Sequence, residues 1–301
     1  MVITDWNYCE AVSLFSEIPK GYYDIALSHV HAIDDREDMM SELVEHASKE
    51  SINVSYVHER SYLSLNNENI PLRKLSTIGF PGKKVLVDAT RLSVPELLHV
   101  FCILKDSRAQ FDVLYVQPEK YKKKGAQGNT KSGTEESYDL SNDGAGVQQL
   151  PPFVSCVTDV SLVANLGFEG HRLGSVLQSE QYPLNSLTCL LGTPAFKAGW
   201  ENITLKNNIS IVSELSSNVR VKIAGANDPI RTHAMIKEVY EGSNYEDKKL
   251  CLVPIGTKPM SIASAWFAAD HRDVIVVHDF VEKRQKRSSG TDTAHLWKFS
   301  T

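Results

Sequence analysis

Cysteine is scarce in this sequence and badly spaced for structural chemistry. Cys9, Cys102, Cys156, Cys189 and Cys251 are odd in number, far apart, and include no C-x-x-C pair. The pattern argues against a disulfide framework and predicts reduced cysteines in the core of a cytoplasmic protein. Long hydrophobic runs are also missing. No apolar stretch approaches the roughly 18 residues that a membrane span requires, and no basic-then-apolar leader opens the sequence, so no membrane contact is expected. Nor is there an excess of positive charge: 32 Lys and Arg against 37 Asp and Glu leave a net charge of −5. General nucleic-acid binding is disfavoured on that ground, because phosphate affinity needs clustered cations, although local basic patches stay open.

Catalytic signatures are absent as well. There is no G-x-x-x-x-G-K-[ST] loop, no G-x-S-x-G elbow, no H-E-x-x-H helix and no paired-carboxylate nuclease pattern. Ten histidines are present, yet "SHVH" at 28–31 sets His29 and His31 on one strand face without the cysteine or carboxylate partner that zinc requires. Neither a metal nor a cofactor is expected. His278 and Asp279 end the last β run, but a general base needs a nucleophile that the sequence does not identify.

What is there is an ordinary globular composition, 42% hydrophobic and 23% charged over 301 residues, long enough for two domains. "YYDIALSHVHAI" (22–33) reads as a strand, and the segment after it carries Met39, Met40, Leu43, Val44 and Ala47 on one helical face. "INVSYVHE" (52–59), "KKVLVDAT" (83–90) and "FDVLYVQP" (111–118) read as strands, with the apolar helix "VPELLHVFCILKDS" between the last two. Residues 117–152, rich in Lys, Gly, Ser and Asn and closed by two prolines, read as a mobile loop or linker. The pattern then restarts: a strand-rich approach at 152–170, a short helix "HRLGSVLQSEQ", the strand "LTCLLGTPAF" (187–196), and the β-like runs "NNISIVSEL" and "VRVKIAG". "DPIRTHAMIKEVYEG" is a helix capped by Asp228 with Pro229 at its first position, and "KLCLVPIGTKPMSIASAWFAAD" with "DVIVVHDF" completes a strand, helix, strand unit. Strands alternating with helices imply an α/β protein of two similar Rossmann-like halves, with mainly parallel sheets covered by helices. The halves are assigned to 1–116 and 153–301, joined by the linker at 117–152.

Self-similarity supports that division. "KKVLVDATRLSVPELLHVFCIL" then "FDVLYVQPEKYKKKG", and "KKLCLVPIGTKPMSIASAWFAA" then "DVIVVHDFVEKRQKRSSG", share one order: two lysines, apolar strand, Thr with Arg or Lys, apolar helix, Val-rich strand, basic cluster. Upstream, "IDDRED" and "GFEGHR" each set an acid and an arginine at a strand-to-helix turn.

In an open parallel sheet, ligands bind beyond the carboxyl ends of strands, where helix N-termini favour anions. The polar residues of interest fall there. Gly256 lets the backbone approach a phosphate, Thr257 offers a hydroxyl, and Lys258 is a cation directly ahead of a helix. Asp88, Thr90 and Arg91 are the first-half counterpart; capping the helix is the favoured role for Asp88, with orienting Arg91 or bonding a ribose hydroxyl as alternatives. In "NLGFEGHR", Gly167 precedes Phe168, an aromatic placed to stack on a base or to plug the core, and Arg172 either reaches an anion or pairs with Glu169. Gly192, Thr193, Lys197 and Trp200 repeat the idea after the next strand, and "KYKKK" (120–124) and "EKRQKR" (282–287) suggest a positive rim.

The strand, "GTKPM", helix, strand and basic loop of 250–290 resemble CRISPR-associated Rossmann fold (CARF) domains and related Rossmann-like sensors of prokaryotic antiviral systems. In several of those a Gly-Thr-Lys turn after a core strand contacts a cyclic or linear oligonucleotide, and "VLVDAT" before an apolar helix looks like their other ligand-side turn. The resemblance covers a minority of the chain, and two departures stand out: no appended nuclease or helix-turn-helix is recognisable, and both halves lie in one chain where those sensors usually pair two. It implies a sensor or adaptor that binds a nucleotide or oligonucleotide signal and acts on a partner effector protein in antiviral defence, with homo-oligomerisation left open. Lys258 and Arg172 would hold phosphate, Gly256 and Thr257 would donate, and Phe168 would stack, with the Thr90–Arg91 and Thr257–Lys258 turns facing one pocket or two. A nucleotide-processing enzyme, a phosphohydrolase or glycosyl-transfer protein using Asp88 or Asp279 as base, and a structural subunit of a defence complex are the competing expectations.

Overall fold

The computed structural model describes residues 2–123, 138, 140–156, 159–179, 184–214 and 219–300. Its first sheet contains β1 (Val2–Glu10), β2 (Tyr23–Ser28), β3 (Ser48–Val57), β4 (Tyr62–Leu65), β5 (Glu68–Pro71), β6 (Lys84–Asp88), β7 (Gln110–Tyr121) and, from the far end of the chain, β14 (Ser288–Ser300). The order is β1-β14-β7-β6-β2-β3-β4-β5, with a parallel centre (β7, β6, β2, β3) and antiparallel strands on both sides. The second sheet contains β8 (Ser141–Gln149), β9 (Val160–Asn165), β10 (Leu184–Gly192), β11 (Val219–Ala224), β12 (Lys249–Pro254) and β13 (Ile275–Lys283). Its order is β11-β10-β9-β12-β13-β8, parallel except where β8 joins.

Strand periodicity accounts for the layering. In β2, β6 and β7, Ile25, Leu27, Val85, Val87, Phe111 and Val113 point to one core, while Ala26, Leu86, Leu114 and Val116 point to another. Strands covered on both faces read as unbroken apolar runs because neither set of side chains reaches water. α1 (Leu14–Glu17) and α2 (Asp35–Ala47) cover the outer face of the first sheet, and α4 (Gly170–Gln178) and α5 (Trp200–Glu214) cover the outer face of the second. Between the sheets lie α3 (Val94–Asp106) and α7 (Lys258–Asp270), flanked by α6 (Pro229–Tyr245). Every residue of α3 from Val94 to Leu104, and of α7 from Pro259 to Ala269, is buried. A helix apolar all round has to be enclosed all round, and these two are enclosed by each other and by a sheet on either side.

The helices run side by side in the same direction. At their starts Lys258 Nζ donates to Leu92 O at 2.5 Å. At their ends Lys105 pairs with Asp270 at 2.5 Å and Arg272 with Asp106 at 3.2 Å.

Several expectations are corrected. The first sheet is not mainly parallel, having four antiparallel pairings against three parallel ones. The chain does not split at 117–152 into consecutive halves, because β14 returns from the C-terminal part to lie between β1 and β7. It does so because Phe299 stacks among Phe101, Phe111 and Trp266 while Trp297 is fully buried in the same core. The supposed linker begins inside β7 and contains β8, whose Gly144 sits where a Cβ would lie 1.9 Å from Phe280 O; residues 124–137 and 139 lie outside the described residues. Residues 207–214 are helix rather than strand, as Thr204, Asn208 and Ile211 present one face of α5 to the turn and sheet beneath it. Cys102, Cys189 and Cys251 are buried as expected, whereas Cys156 is exposed.

Trp297→Ala is expected to cost roughly 3–5 kcal/mol in urea denaturation, the range for deleting a buried aromatic. A near-neutral result would show that the C-terminal strand is not part of the first sheet's core.

Candidate ligand-binding site

The strand order reverses at one place in each sheet. In the second, the chain proceeds from β9 outward through β10 and β11, then resumes on the other side with β12 and β13. In the first, β2 leads to β3 on one side and β6 and β7 follow on the other. Such points leave a crevice at the carboxyl ends of the strands. Because α3 and α7 start side by side, the two crevices open into one cavity of about 210 Å³, lined from the first sheet by Thr90, Ser93 and Tyr115 and from the second by Gly167, Gly256 and Lys258.

The glycines are set by how closely the turns after β9 and β12 approach. A Cβ on Gly167 would lie 2.6 Å from Ile255 O, and one on Gly256 would lie 2.8 Å from Asn165 Cβ. Asn207 and Asn208 hold the first turn from behind, donating to Phe168 O at 2.7 Å and Gly167 O at 2.9 Å. These asparagines fall in a run that reads as β-like, which hides their role; the signal for Asn208 is its i, i+4 relation to Thr204, whose carbonyl also takes a bond from it.

Seven of the nine residues singled out from sequence, Gly167, Phe168, Arg172, Thr90, Gly256, Thr257 and Lys258, line the cavity. Asp88 and Arg91 do not. Asp88 accepts from Thr90 N, Arg91 N, Ser28 Oγ (2.5 Å) and Arg91 Nε (2.6 Å), and Arg91 reaches away to Ser41 Oγ at 2.6 Å. Both are consumed in shaping the turn: Asp88 does not cap α3, whose start is capped by Ser93 and Glu96, but orients Arg91, one of the alternative roles. Thr257 Oγ1 donates to Ala226 O at 2.6 Å, and Thr90 Oγ1 accepts from Val116 N at 3.0 Å. Arg172 pairs with Asp279 at 3.0 Å rather than with Glu169, whose Oε1 instead accepts from Ser141 N and Oγ at the start of β8.

No family model and no curated protein matches this chain.

The walls carry further cations. Arg36, from the acid-arginine turn "IDDRED", is buried and held by Asp34 at 2.5 Å. Lys283 and Arg287, from the basic cluster at 282–287, reach the cavity, and Lys283 lies 3.9 Å from Glu37. Lys258 and Arg287 have no ion pair among the described residues, and Arg287 Nε is buried without a hydrogen-bond partner. Of the other cluster, Lys120 lies at the surface beside Glu119, Tyr121 alone lines the cavity, and Lys124 lies outside the described residues. Phe168 is the hub of an aromatic group, with Tyr138 stacked at 4.6 Å, Trp200 at 5.5 Å and Tyr121 at 5.6 Å.

Crowding like charges out of water has a cost that appears in their protonation. Burial, then the neighbouring Lys283 and Arg287, push the Lys258 pKa well below its usual value. Lys283 is lowered by burial and by Arg287. Burial, with Arg172, Lys258 and Lys283 nearby, pushes His278 down to about 3, leaving a neutral imidazole whose Nδ1 has no hydrogen-bond partner among the described residues. Burial raises the Glu37 carboxyl despite Lys283 opposite it. The cavity therefore holds cations destabilised by burial and by each other, the electrostatic setting that an anion would relieve. Among the described residues, no group of three or more His, Cys, Asp or Glu is arranged to hold a metal.

Asp88→Ala is expected to cost roughly 3–5 kcal/mol of stability, since it strips the counter-charge from buried Arg91; chemical denaturation reads this directly. A depressed Lys258 pKa means that the unfolded chain binds more protons between that value and the usual 10.5, so its contribution makes stability rise with pH through that window. Lys258→Met should abolish this component, and the gap in unfolding free energy between wild type and variant should shift in favour of wild type as the pH rises toward 10.5. A constant gap would show that Lys258 titrates normally.

Proposed function

We propose that this chain binds a nucleotide or oligonucleotide in the shared cavity and acts as a sensor or adaptor, passing the binding event to a partner protein. The carrying observation is the convergence of Arg36, Arg172, Lys258, Lys283 and Arg287 on one cavity that also presents Tyr115, Tyr121, Phe168 and Trp200. Cations answer phosphate and aromatic faces answer bases, the combination by which single-stranded nucleic acids and nucleotides are held. The N-termini of α3 and α7 open on the same space and turn the positive ends of both helices toward it. The parallel strands at the centre of each sheet, with one reversal of strand order apiece, support a Rossmann-like reading of the ligand side. The resemblance of "GTKPM" and "VLVDAT" to ligand-side turns of antiviral sensors supports placing the protein in prokaryotic defence. The absence of a partner for Arg287 Nε fits a group awaiting a ligand rather than a purely structural cation.

Thermal-shift screening of nucleotides against wild type and Lys258→Ala tests the reading. A ligand at a hundred times its Kd stabilises the native state by about 2.7 kcal/mol, and loss of a charged hydrogen bond removes about 1.5–3 kcal/mol of binding energy. The expected outcome is a nucleotide-dependent shift that collapses in the variant. If no nucleotide shifts the wild type, the reading fails.

A further inference from the structure

We propose that Lys258, Lys283 and Arg287 form a subsite for one terminal phosphate monoester, so that the cavity takes a mononucleotide-sized ligand and not an uninterrupted phosphodiester chain. The inference rests on the nucleotide reading above and narrows it.

Three observations carry it. Of the five cations on the wall, Arg36 and Arg172 already hold Asp34 and Asp279, so they contribute shape more than free charge. The remaining three come from the start of α7, the last residue of β13 and the β13–β14 turn, and among the described residues none holds a carboxylate closer than 3.9 Å, though Lys258 Nζ donates to Leu92 O and Lys283 Nζ to Arg91 O at 3.4 Å. Glu169, the one carboxylate on the wall among the described residues, is occupied by the first residue of β8. Near these three stands Glu37, 3.9 Å from Lys283, with its Oε1 otherwise unpartnered. Against one long contact to Glu37, three cations close enough to lower one another's pKa are gathered together rather than strung along a groove.

A terminal monoester presents about −1.5 to −2 charges and three acceptor oxygens at a single point near pH 7. A phosphodiester presents one charge per phosphate, spaced along its backbone. Concentrated cations match the first. Size points the same way: about 210 Å³, below the roughly 300–1,000 Å³ of sites that enclose drug-sized ligands, has room for the phosphate end of a single nucleotide and not for several linked ones. The walls resist widening where the turns of Gly167 and Gly256 meet with no room for a Cβ. Arg287 Nε and His278 Nδ1, both buried and unpartnered, supply one donor and one neutral imidazole at the same wall.

Isothermal titration of the full chain with adenosine 5′-monophosphate, its 3′,5′-cyclic monophosphate, and a tetra-adenylate bearing hydroxyls at both ends tests this. The expected result is that the 5′-monophosphate binds at least 10-fold more tightly than either diester. Arg287→Met and Lys283→Met should each weaken it on the order of 10- to 100-fold. Lys49→Met, at an exposed pair with Asp24 on another surface, should leave it unchanged. Equal or tighter binding of the cyclic nucleotide or the tetra-adenylate overturns the monoester subsite while leaving the nucleotide reading intact. Binding of none of the three overturns both. Because the decisive comparison is among ligands on the wild-type protein, it does not depend on any variant folding.

Discussion

Two helices without a solvent-facing side govern this structure. α3 and α7 are buried along nearly their whole length, and a helix in that position needs apolar contact in every direction. The chain meets the need by laying the two helices against each other and closing a sheet over each exposed face. Small residues in α7, among them Ala263, Ala265, Ala268 and Ala269, allow close packing, while Phe101, Phe267 and Trp266 fill what remains. Paired charges tie the far ends of the helices, and Lys258 bonds to Leu92 O at their starts.

The cavity is a consequence of that packing. Parallel strands deliver their helices at the carboxyl edge, so two mixed sheets whose central parallel strands are packed helix against helix bring two such edges together. Turns that would each line a shallow crevice become opposite walls of one shared cavity. The β13–β14 connection crosses from the second sheet to the first beside it and is pinned to the turn before α2, where Ser288 Oγ donates to Asp34 and Gly290 N donates to Asp35 at 2.8 Å. Lys283 and Arg287 therefore sit on the segment that joins the sheets, and any anion they hold bears on both. The concentration of cations is unfavourable for the empty fold, as lowered lysine pKa values indicate. Destabilised charge of that kind is common where a protein binds something.

Much of the architecture was legible in the residues. The helix at 35–47, the apolar runs at 83–90 and 111–118, the cap at Asp228 and the strand-helix-strand unit at 250–280 fold as their patterns imply, whereas the strand read over 22–33 ends at Ser28 and leaves His29 and His31 outside it. Other elements were not legible, for specific reasons. β8 has the composition of a loop because Phe280 O leaves room only for hydrogen at Gly144. The β-branched residues of α5 suggest a strand, but Asn207 and Asn208 bond to the turn at Gly167 and Phe168, and that contact decides in favour of helix. Arg91 looked like a ligand-side cation and proved to be the partner of Asp88, since the sequence does not say which way a side chain leaves a turn.

By itself the sequence determined the α/β class, the register of apolar residues on most strands, and the two turns, Thr90 and Gly256 to Lys258, that reach the cavity. Those follow from local physics: side-chain alternation, helix capping and the backbone freedom of glycine act over a few residues. Tertiary structure alone decided that the turns face one space, that β14 completes the first sheet, and that Arg36, Lys283 and Arg287 join Lys258 there. Those depend on contacts between residues far apart in the chain, made when two buried, mainly apolar helices find that the best cover for each is the other.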